Sequence, residues 1–297
     1  MRALLGVAAL WACVTAAAAQ SLTGNLFVSQ DSDDFDELRV SAGYVGEQGF
    51  GVAVGAMRYS APGWSAQGTA LAGTYSELGK LRQIDASLGA AQIEGDNYLV
   101  GGIDYLQRWE AGHALGFSFE RNIVNSQGGI DDGIVYNSLA LVGDYAFSAP
   151  FNVGLAGGST YFSDGNNRPF LRTRWNYSLD QQYGLNAYLK TRSYRNSDPD
   201  RPQYFSPQWL NEASLGLSSR WRAAEHVVLS AALDAGVQYT NTDDQPIWGA
   251  FLGLASPRNA AIRWSVGALA TNTASLLTSQ SGAYRYLSAT AQLNIPL

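Results

Sequence analysis

The sequence is poor in the side chains that most chemistry needs. Of its 297 residues one is cysteine and two are histidine. Cys13 lies in an N-terminal segment that reads as removable, so the remaining chain has no cysteine, and disulfides and thiol chemistry are excluded from it. No H-x-x-x-H, C-x-x-C or phosphate-loop pattern occurs, which leaves metals and nucleotide cofactors unsupported, and no cofactor is expected. Charged residues make up only 15%, with a formal net charge of −6, which argues against a nucleic-acid partner. Beyond the first twenty residues no apolar run approaches the roughly 18 residues of a transmembrane helix.

Glycine, tyrosine and tryptophan are plentiful, at 32, 16 and 8 residues, a composition suited to strands and turns. The first twenty residues stand apart. "MRALLGVAALWACVTAAAAQ" has an early Arg2, an apolar stretch from Leu4, and a small-residue run ending at Ala19. This is the pattern of a secretory signal peptide, residues 1–19, with residues 20–297 as the exported domain. Acylation of Cys13 is the alternative processing route, but Trp11 fits poorly with the small residues that a lipoprotein site prefers.

Beyond Leu22 the chain alternates apolar and polar residues almost without pause. Alternating segments fall at 22–29, 37–46, 49–59, 63–75, 81–93, 97–109, 112–122, 134–147, 151–162, 168–178, 183–194, 208–221, 225–240, 246–255, 260–271 and 281–295. About sixteen strands of roughly ten residues match an outer-membrane barrel. The connections support this. Those after even-numbered strands are short ("EQG", "SAP", "AAE"), whereas several after odd-numbered strands are long ("NSQGGIDDGI", "RNSDPDRPQYFSP", "NTASLLTSQSG"). Short periplasmic turns and long external loops alternate in this way. The expected fold is therefore all-β: a transmembrane, antiparallel, up-and-down barrel of about sixteen strands in a bacterial outer membrane. A soluble two-sheet protein would also alternate, with the apolar side as its core.

In the barrel reading the apolar side faces lipid: Leu229, Ala231, Leu233 and Val237 in one strand, Leu139, Leu141 and Tyr145 in another. Trp64, Trp109, Trp175, Trp221, Tyr59 and Tyr239 near strand ends are expected to form interfacial girdles. The opposite parity lines the lumen. It carries a basic wall of Arg172, Arg174, Lys190, Arg192, Arg220 and Arg222. Asp85, Asp104, Glu120, Asp144 and Asp234 are expected as an acidic wall facing it. Such charges either pair and brace the barrel or set up a transverse field. Tyr188, Tyr194, Tyr204 and Phe205 are candidates for stacking on sugar rings.

Residues Tyr204, Phe205, Ser206, Pro207 and Gln208, followed by a strand with Arg220 and Arg222 at its end, resemble an element of the C-terminal barrels of exopolysaccharide export proteins of the cellulose and poly-N-acetylglucosamine type. The resemblance covers about twenty residues directly, and strand number and length extend it along the chain. It implies a sixteen-stranded pore that passes an exopolysaccharide outward, lying among outer-membrane lipid and lipopolysaccharide. Members of that family usually carry a periplasmic helical-repeat region before the barrel. Strands beginning near Leu22 leave no room for one, so a repeat scaffold is expected on a separate chain. The terminal "NIPL" also lacks the final aromatic residue usual for such barrels.

A barrel enzyme would need a histidine near the outer face. His113 and His226 both follow short turns, at the expected periplasmic rim, so no enzyme is expected. The acidic stretch from Asp31 to Glu37 reads as a solvated external loop, with divalent-ion bridging to lipopolysaccharide as the alternative. The other function class is a general or small-solute porin or a surface receptor, with residues 195–207 as the candidate constriction loop.

Overall fold

The computed structural model describes residues 20–109, 112–273 and 284–297. The signal-peptide segment and Cys13 lie outside the described residues, as does most of the last long connection. The chain forms β1 (Ser21–Asp31), β2 (Asp36–Val45), β3 (Phe50–Ala61), β4 (Trp64–Leu78), β5 (Arg82–Ile93) and β6 (Asp96–Arg108). After β7 (Ala114–Ile123), one short helix, α1 (Gln127–Asp131), precedes β8 (Val135–Ala146). The second half comprises β9 (Phe151–Phe162), β10 (Asn167–Asp180), β11 (Leu185–Arg195) and β12 (Trp209–Ala224). It ends with β13 (Val227–Thr240), β14 (Asp244–Ala255), β15 (Arg263–Thr271) and β16 (Tyr286–Pro296). Every strand pairs antiparallel with its sequence neighbours, and β1 pairs with β16 from Ser21↔Pro296 to Asp31↔Tyr286, closing the barrel. Closure leaves no sheet edge, which is the condition for strands to cross a bilayer.

Alternation settles the two faces. In β12, Leu215 and Leu217 are 69% and 52% exposed, whereas Ser214 and Glu212, on the other parity, are 2% and 8% exposed. Leu233, Leu141, Leu139, Leu88 and Leu71 likewise point outward with more than half their surface free. An outward band of this kind is stable only in hydrocarbon. At the end carrying both chain termini an aromatic belt forms. Phe147 stacks on Phe151 and Trp175, with centroids 5.3 and 6.4 Å apart, and Tyr145 meets Phe147 edge-on at 4.7 Å. By the usual polarity of such barrels, this is the periplasmic end.

Three expectations change. Tyr59 and Trp64 do not belong to a girdle. Both share the inward parity of their strands, and Tyr59 is 5% exposed within an apolar cluster against which Trp64 packs. The stretch from Asp31 to Glu37 is a solvated loop only in part: Ser32, Asp34 and Asp36 are exposed, but its two ends are built into the wall. Asp31 ends β1 and its carboxylate accepts from the backbone N–H groups of Asp33 and Phe35, while Glu37 lies in β2, 4% exposed, paired with Arg39. The loop asymmetry is narrower than the sequence suggested. At the external end residues 62–63, 94–95 and 163–166 make tight turns, with positive φ at Gly63, Gly95 and Gly165, and length is concentrated in 124–134, 196–208 and 272–285.

The two faces can be checked with adjacent residues. Leu233→Arg, near the middle of β13, should lower folding stability in lipid by about 2–4 kcal/mol. The neighbouring Ala232→Arg, on the inner face, should cost clearly less. Titration of folded barrel against denaturant, read by its gel mobility before and after boiling, measures both.

Candidate functional site

Two long connections fold inward and meet over the external mouth. Helix α1 begins at Ser126, whose hydroxyl accepts from the Gly129 N–H, a usual helix cap. Ile130 on this helix is buried with Phe35, Tyr59, Ala66, Ala70, Ala91, Ile93 and Val100, which belong to the inner face of β3 to β6 or border it. Polar contacts fix the loop on several sides. Asn125 donates to Glu37 at 2.5 Å, and the Trp64 indole donates to Asp131 at 2.7 Å. The Ser126 hydroxyl donates to the Gln203 carbonyl, and the Gln203 amide donates to Asp132 at 2.8 Å, so the 124–134 and 196–208 connections are tied to each other.

The Tyr-Phe-Ser-Pro-Gln element builds the second of these connections. Tyr204 is 1% exposed and stacks on Phe162 with centroids 4.5 Å apart and planes at 11°. Its hydroxyl donates to Asp164 at 2.9 Å and accepts from Asn166 at 3.1 Å. Burial pushes its phenol above the ordinary value, so it stays a donor. The Phe205 carbonyl accepts from Arg168, Ser206 caps the Arg201 N–H, and the Pro207 carbonyl accepts from Asn196. Arg168 anchors the whole arrangement. It is 1% exposed, donates to Asn196 at 2.7 Å, and lies over the rings of Phe162, Tyr194 and Tyr204 at 5.0, 4.8 and 5.6 Å. Sequence reasoning passed over Arg168, Asp164, Asn166 and Asn196. Parity would have flagged Arg168, four residues before Arg172; the others sit in turns, where periodicity gives no signal.

Below the mouth, register sets the inner side chains of β10 to β13 in rows. Phe170, Tyr194, Leu210 and Thr240 form one, followed by Arg172, Arg192, Glu212 and Gln238. Next come Arg174, Lys190, Ser214 and Gly236, then Asn176, Tyr188, Gly216 and Asp234. Arg192 grips Glu212 with two hydrogen bonds, at 2.7 and 2.5 Å, and Gln238 adds a third to the same carboxylate at 2.6 Å. Lys190 reaches Asp234 at 2.9 Å, and the Tyr188 hydroxyl donates to the same carboxylate at 3.0 Å. Gly216 makes this possible: a Cβ there would stand 2.5 Å from the Tyr188 ring.

Asp234 is thus misplaced in an acidic wall. It stands two strands from Lys190 and neutralises it. The remaining acidic residues occupy β5 to β8. Asp85 and Asp104 are register partners, Asp85 accepts from Ser76 and Gln83, and Glu120 accepts from Tyr136 at 2.6 Å. A recess of about 110 Å³ opens among Asp85, Asp104 and Glu120. The acidic arc does not face the basic one. In a ring of sixteen the strand opposite β11 is eight places away, β3, and the two arcs are neighbours with β9 between them. Arg220 is exposed at the periplasmic end, and Arg222 is held at the rim by the Glu225 carbonyl.

The proposed stacking residues fare unequally. Tyr204 is covered by Phe162, Tyr188 by the Arg174 guanidinium at 3.8 Å, and Tyr194 by those of Arg168 and Arg192, so none offers a free ring face. Phe205 keeps partial exposure. His113 stacks on Tyr145 and accepts from the Ala146 N–H, while His226 lies in the turn after β12, beside Glu225.

A closed sheet with an apolar outer band and charged interior defines an outer-membrane β-barrel. No protein-family model matches the sequence, and no curated protein matches it. Among solved structures, one described as a bacterial polysaccharide outer membrane secretin is similar, with a TM-score of 0.73 and 11% identity, over 95% of this chain and 100% of that one. CdiB from Acinetobacter baumannii is similar over 94% of this chain and 61% of its own, with a TM-score of 0.52 and 9% identity. At such identities the likeness concerns the fold.

If the two connections close the mouth, loosening one should open it. Tyr204→Ala leaves the barrel strands untouched and removes the stack on Phe162 and the hydrogen bonds to Asp164 and Asn166. The variant should keep its heat-shifted gel mobility, conduct more current per channel, and become cleavable by protease within residues 196–208.

Proposed function

We propose that the barrel carries an exopolysaccharide across the outer membrane. The observation that carries this reading is the layered inner wall of β10 to β13. Its rows of Arg, Lys, Asn, Gln, Ser and carboxylate side chains run from the mouth connections toward the periplasmic end. A hydrated glycan can exchange hydrogen bonds with such rows one sugar at a time, with many weak contacts and no single deep site. The secretin-like fold supports the same reading, since that neighbour is described as handling polysaccharide. No covalent step is involved. The resemblance that introduced this idea rests on Tyr204 to Gln208, and in the structure those residues pack the 196–208 connection against Phe162, Asn166 and Arg168. A repeat scaffold on another chain and contact with lipopolysaccharide belong to the same proposal.

A general or small-solute porin is the second reading. It is favoured by one specific feature, the 124–134 connection folded into the lumen, a device porins use for constriction. The segment is not the 195–207 stretch that the sequence singled out.

Chain length separates the two. Neutral oligosaccharides of two to six sugars are added from the periplasmic side of Tyr204→Ala channels, whose mouth is loosened, in a planar bilayer. A glycan conduit should show block of the ion current that strengthens with each added sugar, because each occupies another row. Block that is absent, or that weakens with length, would identify a small-solute porin.

A further inference from the structure

The strip between the two charged arcs is unlike the rest of the lumen wall. The inner residues of β9 include Gly154, Ala156 and Gly158, so the backbone itself forms a floor. On one side, Arg172 is the register partner of Ala156 and Arg174 that of Gly154. On the other side, Asp144 is the register partner of Gly154. Asp144 and Arg174 therefore share a row with nothing between them, two strand spacings or roughly 10 Å apart. That is about the width of a sugar ring with its substituents.

The two arginines are also unlike their neighbours. Arg192 has Glu212 on its β12 side, and Lys190 has Asp234. Arg172, next to Arg192 in the same row, has only Ala156 on its β9 side. Its Nε is buried with no hydrogen-bond partner, and its guanidinium rests against Phe170 at 5.1 Å. Arg174 donates to Asn176 and lies on the Tyr188 ring. Among the described residues neither forms an ion pair. A buried guanidinium nitrogen without an acceptor, as at Arg172, is costly, and beside a second arginine that has no carboxylate partner it marks a place where an anion is to be supplied from outside the chain.

We infer that the β9 strip is a binding groove for a carboxylate-bearing sugar unit, with its carboxylate on Arg172 and Arg174 and its hydroxyls donating to Asp144. The cargo is then an acidic, uronate-type polysaccharide. The inference rests on reading the chain as a glycan pore and names the class of glycan. Guanidinium recognises carboxylate through paired N–H donors, as Arg192 does with Glu212 one strand away. The Asp144 carboxylate would repel an anion placed against it, so it fixes the orientation: acid toward β10, hydroxyls toward β8.

Calorimetric titration of the purified barrel in detergent tests this without any need for an open mouth. The probes are glucuronate hexamer, cellohexaose and glucosamine hexamer. Wild-type protein should bind the glucuronate hexamer about tenfold more tightly than cellohexaose, with an affinity that falls as salt is raised. Arg172→Gln with Arg174→Gln should abolish that preference, so that the glucuronate hexamer binds no more tightly than cellohexaose. Ala156→Leu, which fills the floor and keeps both arginines, should weaken binding of both. Gel mobility before boiling shows that each variant is folded. Equal binding of acidic and neutral hexamers, insensitive to the arginines, would overturn the inference and leave the glycan pore standing. So would tightest binding of the glucosamine hexamer, which would move the site to Asp85, Asp104 and Glu120. Binding of none of the three would remove the glycan reading itself.

Discussion

The pairing of β1 with β16 is the interaction on which the rest depends. In hydrocarbon an unpaired backbone N–H or C=O has no water to turn to, so a strand sheet can cross a bilayer only if its last strand returns to its first. The seam runs the full length of both strands, and the backbone N–H of Leu297 continues it with a bond to the Gln20 carbonyl. Once the ring is closed, each strand has one face in lipid and one inside. Every arginine, lysine and carboxylate in the middle of a strand must then take the inner face, because a one-residue slip would place it in lipid.

That requirement sends charges inward but does not arrange them. The external end of the lumen is filled by apolar packing around Tyr59, Ile130 and Tyr204, held by a few buried polar anchors such as Glu37 with Arg39, and Arg168 among its rings. Deeper in, charge is laid along neighbouring strands and separated by the glycine and alanine floor of β9. Opposite signs that neutralise each other, as Arg192 and Glu212 do, stiffen the wall. Opposite signs held apart by a strand of small residues, as Arg174 and Asp144 are, leave a polarised space that a ligand can fill.

The strands were legible from the sequence because period-two alternation is a direct consequence of the two environments, and the sixteen segments fall close to the sixteen strands. The inner position of Arg172, Arg174, Lys190 and Arg192 followed from the same parity. What parity cannot show is depth or neighbourhood. Tyr59 and Trp64 share the inner face with the charges, yet lie under the mouth connections. Asp234 has the right parity for any wall, and only the register of β11 to β13 brings it to Lys190. Helix α1 spans a segment with two glycines, a poor helix former by composition; it stands because Ser126 caps it and Ile130 is buried against β3 and its neighbours. The Tyr204–Gln208 element was visible as a motif, but its role as a keystone depends on Phe162, Asp164, Asn166 and Arg168, which precede it by some forty residues.

The central claim is that the inner wall around β9 is a wet surface reached from the periplasmic side and shut off from outside by the two mouth connections. With Cys13 replaced by serine, single cysteines can be placed at Ala156 on the inner face and Leu155 on the outer face, and a bulky, charged, membrane-impermeant thiol reagent can be applied to either side of the reconstituted barrel. The cysteine at 156 should react from the periplasmic side only, and that at 155 from neither. Equal reaction at 156 from the external side would contradict a closed mouth, and reaction at 155 in preference to 156 would contradict the assignment of the two faces.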